Sequence, residues 1–241
     1  MNPPRFLLVL AIQANLVRAA LVTRDLRIVS SAHQTFRLAD GSFDPAEVWY
    51  KLKRVTAACF DIGRTLPREI ITGALLSDDD AWVVWQANAG EVQAVGILRD
   101  DARSPATAFD VGIGLVRGGT MRTWLLWNLS GAYCVPAREL EEWHTRAAQC
   151  SIGLTPPRVC PDAAQSEGTA LAHSPVTRHL SPVTPLECFG KIRARGPFAA
   201  ELPIANVFAE RDLVEPGQNE ISPDQAILRA AARVSSTIKV R

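Results

Sequence analysis

The chain opens on three short apolar runs separated by turn residues. Phe6 to Ile12 is unbroken apolar sequence, Gln13-Ala14-Asn15 interrupts it, Leu16 to Val22 resumes it with a single charge at Arg18, and Arg24-Asp25 precedes a third run from Leu26 to Phe36. Runs of this length, rich in Val, Ile and Leu and bounded by polar residues, predict buried β-strands. The breaks at Gln13, Asn15 and Arg18 come too soon for a membrane span. An antiparallel three-stranded meander over Phe6 to Phe36 is the expected start, rather than one helix from Leu7 to Leu21.

The period then changes. After Asp40-Gly41-Ser42, the stretch Asp44-Pro45-Ala46-Glu47 has the features of a helix start: a capping side chain, proline at the first helical position and an acid three residues past the cap. Val48, Trp49, Leu52, Val55 and Cys59 follow three or four apart, which predicts a helix with one buried face. Strands are predicted over Arg68 to Leu75 and Ala81 to Trp85, on either side of Asp78-Asp79-Asp80, with an apolar segment from Val92 to Leu98. Adjacent aspartates in a turn converge poorly on one cation, so the three read as a solvated turn.

Gly112-Ile113-Gly114 and Gly118-Gly119 lack the third glycine of a dinucleotide loop, where Arg117 stands, and read as a flexible loop. Met121 to Leu129 is a predicted helix whose Trp124 and Trp127, three apart, point to the core. A further helix from Ala137 to Gln149 carries His144 on its surface. The Pro-, Ser-, Thr- and Ala-rich stretch from 155 to 185 is an irregular excursion, since its prolines exclude a long helix or central strand. Leu202 to Val207 is a strand, and Ser222-Pro223-Asp224-Gln225 opens a last helix through Ile227, Leu228, Ala231 and Val234.

Composition narrows the class. With 241 residues, 47% of them apolar, the chain can bury one sizeable core, and a single domain over 1–241 is expected. The 26 Lys and Arg nearly cancel the 25 Asp and Glu, and no basic stripe interleaved with aromatics occurs, so no nucleic-acid partner is expected. No basic region precedes the first apolar run, so the sequence reads as cytoplasmic, without a secretory signal or membrane association. Cys59, Cys134, Cys150, Cys160 and Cys188 are odd in number, with no C-x-x-C pair, and read as buried thiols rather than disulfides or a zinc site.

On these elements the chain resembles the FGGY carbohydrate kinases. Laid without a gap on the family's opening, L-G-I-D-I-G-T-T-S-V-K-A-V-L-F-D, the segment Leu8 to Thr23 keeps the apolar positions, Val17, a basic residue at Arg18, Ala19 and Leu21. Asp44 to Trp49 matches D-P-x-x-x-W. Asp101 and Arg103 fall on the last two named residues of W-x-D-x-R, with Arg99 in place of Trp, and His179 to Ile192 resembles L-P-x-V-x-P-x-x-x-x-G-x-I. Asp224-Gln225 matches G-D-Q with Pro223 in place of Gly.

The resemblance implies a ribonuclease-H-like α/β domain of the actin, sugar kinase and Hsp70 type, its mixed sheet flanked by helices on both faces. It implies Asp101 and Arg103 as substrate contacts and Asp224 as the base that takes the proton of a sugar hydroxyl. Asp212 is the alternative base, and Asp224 also suits a helix N-cap. The phosphate loop departs from the family: its metal-holding Asp falls on Ala11, its Gly on Gln13, its two Thr on Ala14 and Asn15, and its Q-M-H on Ala74-Leu75-Leu76.

Phosphoryl transfer rests on positioning and on charge neutralised by metal and backbone donors, so glycine and a carboxylate are needed where Gln13 and Ala11 stand. The resulting expectation is a kinase-derived module with no cofactor and no metal, serving in binding or assembly. The alternative is half of a carbohydrate kinase, completed in trans by a separate second domain and using ATP and Mg with Asp224 and Arg103. Because the resemblance covers the first of the family's two domains, the second is expected to be absent. A homo-oligomer or a protein partner is expected to cover the face left open, with Ile227, Leu228, Ala231 and Val234 as contacts unless they pack on their own sheet.

Overall fold

A computed structural model describes residues 5–38, 42–77, 81–86, 95–98, 116–130, 133–149, 153–160, 191–192, 202–209, 213 and 221–237. The elements, in chain order, are β1 (Phe6–Gln13), β2 (Leu16–Thr23), β3 (Ile28–Thr35), β4 (Ser42–Phe43), α1 (Pro45–Gly63), β5 (Ile70–Ser77), β6 (Ala81–Gln86), β7 (Val95–Leu98) and β8 (Val116–Thr120). They continue with α2 (Met121–Ser130), β9 (Cys134–Pro136), α3 (Leu140–Gln149), β10 (Arg158–Cys160), β11 (Lys191–Ile192), β12 (Leu202–Ala209) and α4 (Pro223–Thr237).

The predicted meander forms. β1 and β2 pair from Phe6↔Thr23 to Gln13↔Leu16 around a two-residue turn, and β2 continues antiparallel into β3. It is one half of a six-stranded sheet in the order β11-β12-β5-β1-β2-β3, in which β12, β5 and β1 run parallel. Side chains alternate along a strand. Leu8, Leu10 and Ile12 of β1 join the core of α1 through Val48, Leu52, Val55 and Cys59, while Leu7, Val9 and Ala11 join that of α4 through Ala226, Ile227, Ala230 and Val234. With a helix on each face, β1 is buried at every position, which is why its sequence is a continuous apolar run.

The start of α1 follows its sequence signature in part. The Asp44 carboxylate accepts a hydrogen bond from the Ala46 N–H at 2.8 Å with Pro45 in the first turn. Glu47 does not complete a capping box; its carboxylate meets the Lys51 ammonium at 2.6 Å and the Arg37 N–H instead. Arg64, at φ 47°, closes the helix with its N–H on the carbonyls of Phe60 and Asp61. The Cys59 thiol lies in this core and burial pushes its pKa up, which suppresses the reactive thiolate.

A second, antiparallel sheet has the order β4-β7-β6-β8. Val83 and Trp85 of β6 extend the α1 core to Trp124 and Leu125 of α2, while Trp82 and Val84 face Trp143 of α3. Gly118 and Gly119 are part of β8 and do not form the flexible loop expected of them. A Cβ on Gly118 would come within 2.6 Å of Leu154 Cδ1 and 3.1 Å of the Trp82 ring, so glycine is required by close packing. The Tyr133 hydroxyl lies at 2.9 Å from the Gly118 carbonyl and 2.8 Å from that of Thr155, and the Trp143 indole donates to Gly118 at 2.6 Å.

Two other expectations change. Part of the stretch from 155 is ordered as β10, parallel to β9, because Tyr133 and Val116 offer backbone acceptors to Arg158 and Thr155. The apolar stripe of α4 is core: Ile227, Ala231 and Val234 are all but fully buried against β1 and β5, so they present no open face to a partner. Asp78 to Asp80, Gly112 to Gly114, Cys150 and Cys188 lie outside the described residues. Among the described residues no helix is long and apolar enough to cross a membrane.

Candidate functional site

The carboxyl ends of the parallel strands meet where β1 turns into β2. Register sets Ile12 of β1 and Ala209 of β12 on either side of Ser77 of β5. In open sheets with parallel strands, ligands bind beyond such ends. Two further elements border this place: the turn Ala14-Asn15, with Ala14 at φ 49°, and the first turn of α4.

The period of two puts Ala11, Gln13 and Arg18 on the sheet face that α4 covers, since Arg18 pairs with Ala11 across the hairpin. Arg18 Nε donates to Ser31 Oγ at 2.8 Å and Arg18 Nη2 meets Asp224 Oδ1 at 2.6 Å. Arg18 keeps 14% of its side-chain surface exposed and Asp224 keeps 65%, so the pair stands at the rim rather than in the core.

Asp224 does not cap α4. Ser222 does, in a complete capping box: the Gln225 N–H donates to Ser222 Oγ at 3.2 Å and the Ser222 N–H donates to Gln225 Oε1 at 3.0 Å. That frees the Asp224 carboxylate to turn to the sheet, while its charge still favours the positive end of the helix. The S-x-x-Q spacing was present in the sequence as the signal for this arrangement; nothing local signalled that Arg18 would be the partner of Asp224.

The described residues do not fit a magnesium-nucleotide group here. Ala11 is fully buried and has no oxygen to offer, and Gln13 places a buried side chain where close approach of phosphates calls for glycine. Where a metal would need a carboxylate, a guanidinium already holds the one at Asp224. Among the described residues no group of three or more His, Cys, Asp or Glu is arranged to hold a metal ion. Asp101, Arg103 and Asp212 lie outside the described residues. A buried ion pair that sequence reasoning missed, Arg122 Nη2 to Glu139 Oε1 at 2.7 Å, joins the start of α2 to the turn before α3.

No protein-family model matches the sequence, and no curated protein is significantly similar to it. Solved structures do share the fold. Xylulose kinase from Rhodospirillum rubrum superposes with a TM-score of 0.59 at 14% identity, over 88% of this chain and 52% of that one. Plasmodium falciparum glycerol kinase, solved with ADP, gives 0.58 at 11% identity, over 86% and 48%. Gluconate kinase from Lactobacillus acidophilus gives 0.51 at 7% identity. The chain therefore has the actin-like, ribonuclease-H-like fold of carbohydrate kinases and spans about half the length of those it matches.

Proposed function

We propose that this chain is a cytoplasmic, FGGY-kinase-like module with a degenerate phosphate loop, a pseudokinase that serves in binding or assembly rather than in phosphoryl transfer. The observation that carries the reading is the Arg18–Asp224 pair beside Ala11. The family's loop, on the resemblance of Leu8 to Thr23, would set a metal-holding carboxylate at Ala11, and the resemblance would make Asp224 the base. Here the first is a methyl group and the second is neutralised by a guanidinium. A metal would find no carboxylate at Ala11, and the one at Asp224 is already engaged by Arg18, so the groups that phosphoryl transfer uses to hold its metal and take its proton are missing.

One observation favours a second reading. Asp224 stands at the first turn of α4, next to the β1–β2 turn, in the place the resemblance assigns to the catalytic base. On that reading the chain is a carbohydrate kinase half, completed by a second domain, with Mg and ATP bound between the two. Calorimetric titration with magnesium-ATP, together with a coupled ADP-release assay over pentoses, hexoses and glycerol, separates the readings. The binding module gives neither heat nor turnover; metal-dependent turnover abolished by Asp224→Ala establishes the kinase.

A further inference from the structure

We propose that the outer edge of β3 is a homodimer interface, at which a second copy of this chain adds its own β3 antiparallel about a two-fold axis at Ala32. Among the described residues β3 ends the six-stranded sheet, with no strand beyond it. Gln13 and Leu16 bracket the two-residue turn and so form a hydrogen-bonded pair, and the alternation then aims Val17, Ala19 and Leu21 at β3, where Gln34, Ala32 and Ser30 meet them. The N–H and C=O of Ser31 and His33 consequently point outward. So does the carbonyl of Thr35, which takes the Lys51 ammonium.

Protection at this edge is confined to its two ends, a register shift where Val22 pairs with Ile28 and the Lys51 ammonium on Thr35. Over the eight residues Ile28–Thr35 it has no proline, no lysine and no acid, and Val29 at its start is exposed. Pairing about Ala32 sets Ser31 of each copy opposite His33 of the other, so the outward amides and carbonyls of both are exchanged while Thr35 stays with Lys51.

The occupant follows from α1. The helix lies over β2 and β3, with Ser30 Oγ donating to the Cys59 carbonyl and Lys51 reaching the end of β3. The helical period places Ala58 and Ile62 on the same side as Lys51, above the edge. Ile62 is the most exposed large apolar side chain among the described residues, at 62%. Strands pair about 4.8 Å apart, so two copies joined at β3 would bring their α1 helices to about 10 Å, the spacing at which helices pack. The two-fold makes these helices antiparallel. Lys51, which also holds Glu47 of its own copy, and Arg54 in the first half of one then stand beside Asp61 in the second half of the other, a charge complementarity between the two copies in a contact that closes on itself.

The test uses the full chain. Sedimentation velocity from about 1 to about 100 μM, the range in which an interface of modest area dissociates, is expected to show a monomer–dimer equilibrium. His33→Pro removes an outward N–H without touching the β2–β3 ladder, and Ile62→Asp places a charge on the helix seam; each is expected to weaken the dimer at least about tenfold. Hydrogen exchange on the unmodified chain provides the check that needs no variant, with the Ser31 and His33 amides slowing as concentration rises. A chain that stays monomeric throughout, whether or not it takes up another protein's strand at β3, overturns the proposal. So does a dimer in which those two amides exchange as in the monomer.

Discussion

Arg18 of β2 holds Asp224 of α4 through a 2.6 Å contact, and the same guanidinium bonds Ser31 of β3. One residue thereby ties the last helix to two strands of the opening meander, at the end of the sheet where ligands of this fold class bind. Because Asp224 is largely exposed, solvent screens the pair and its contribution is at most about 1 kcal/mol. Arg18→Gln and Asp224→Asn are each expected to lower the urea unfolding free energy by less than that, and the double variant to be no worse than the weaker single. Fully additive losses would show that the two side chains act independently.

Tyr133 makes a second, pH-dependent link. Burial pushes its phenol from 10.0 up to about 12, so the folded state holds the proton more tightly than the unfolded chain does. The associated stability is fully present below pH 10 and is lost as the pH rises towards 12, a loss of about 2 kcal/mol across that window. Tyr133→Phe is expected to flatten this part of the profile and to cost about 1–2 kcal/mol at neutral pH, where the carbonyl of Thr155 loses its donor. An unchanged alkaline limb in the variant would assign the loss to another group.

Gly118 is a packing requirement. Gly118→Ala is expected to destabilise by about 1–3 kcal/mol, as inserting a methyl group into a filled site does. The nearer obstacle is the end of the Leu154 side chain and the farther is the rigid Trp82 ring, so adding Leu154→Ala should recover part of the loss. Thermal unfolding of the two variants measures it; a neutral single substitution would mean that β8 shifts to make room.

Ile227 separates core from interface. It is fully buried with Ala226, Ala230 and Val234 against the β1 and β5 side of the sheet. Ile227→Ala is expected to cost about 2–5 kcal/mol and to leave self-association through β3 unchanged. A variant of normal stability with an altered sedimentation coefficient would place α4 at an interface after all.

What the sequence by itself determined is local. The length of each apolar run, the period on which it repeats and the residues that cap it depend on neighbours a few positions away, so the meander, the start of α1 and the place of α4 were legible from Phe6 to Phe36, from Asp44-Pro45 and from Ser222-Pro223. Even β1, with no polar face, announced that both sides of it would be covered. Only the tertiary structure decided what the local pattern left degenerate. Gly118-Gly119 reads as a flexible loop in the sequence, and it is the packing of Leu154 and Trp82 beside it that makes it a close-packed strand. Asp224 reads alike as a cap or a base until the parallel order β12-β5-β1 and the hairpin behind it bring Arg18 within hydrogen-bond distance. The physical reason is that backbone periodicity is encoded residue by residue, whereas the partner of a charge or the space beside a glycine is set by how the layers of the fold come together.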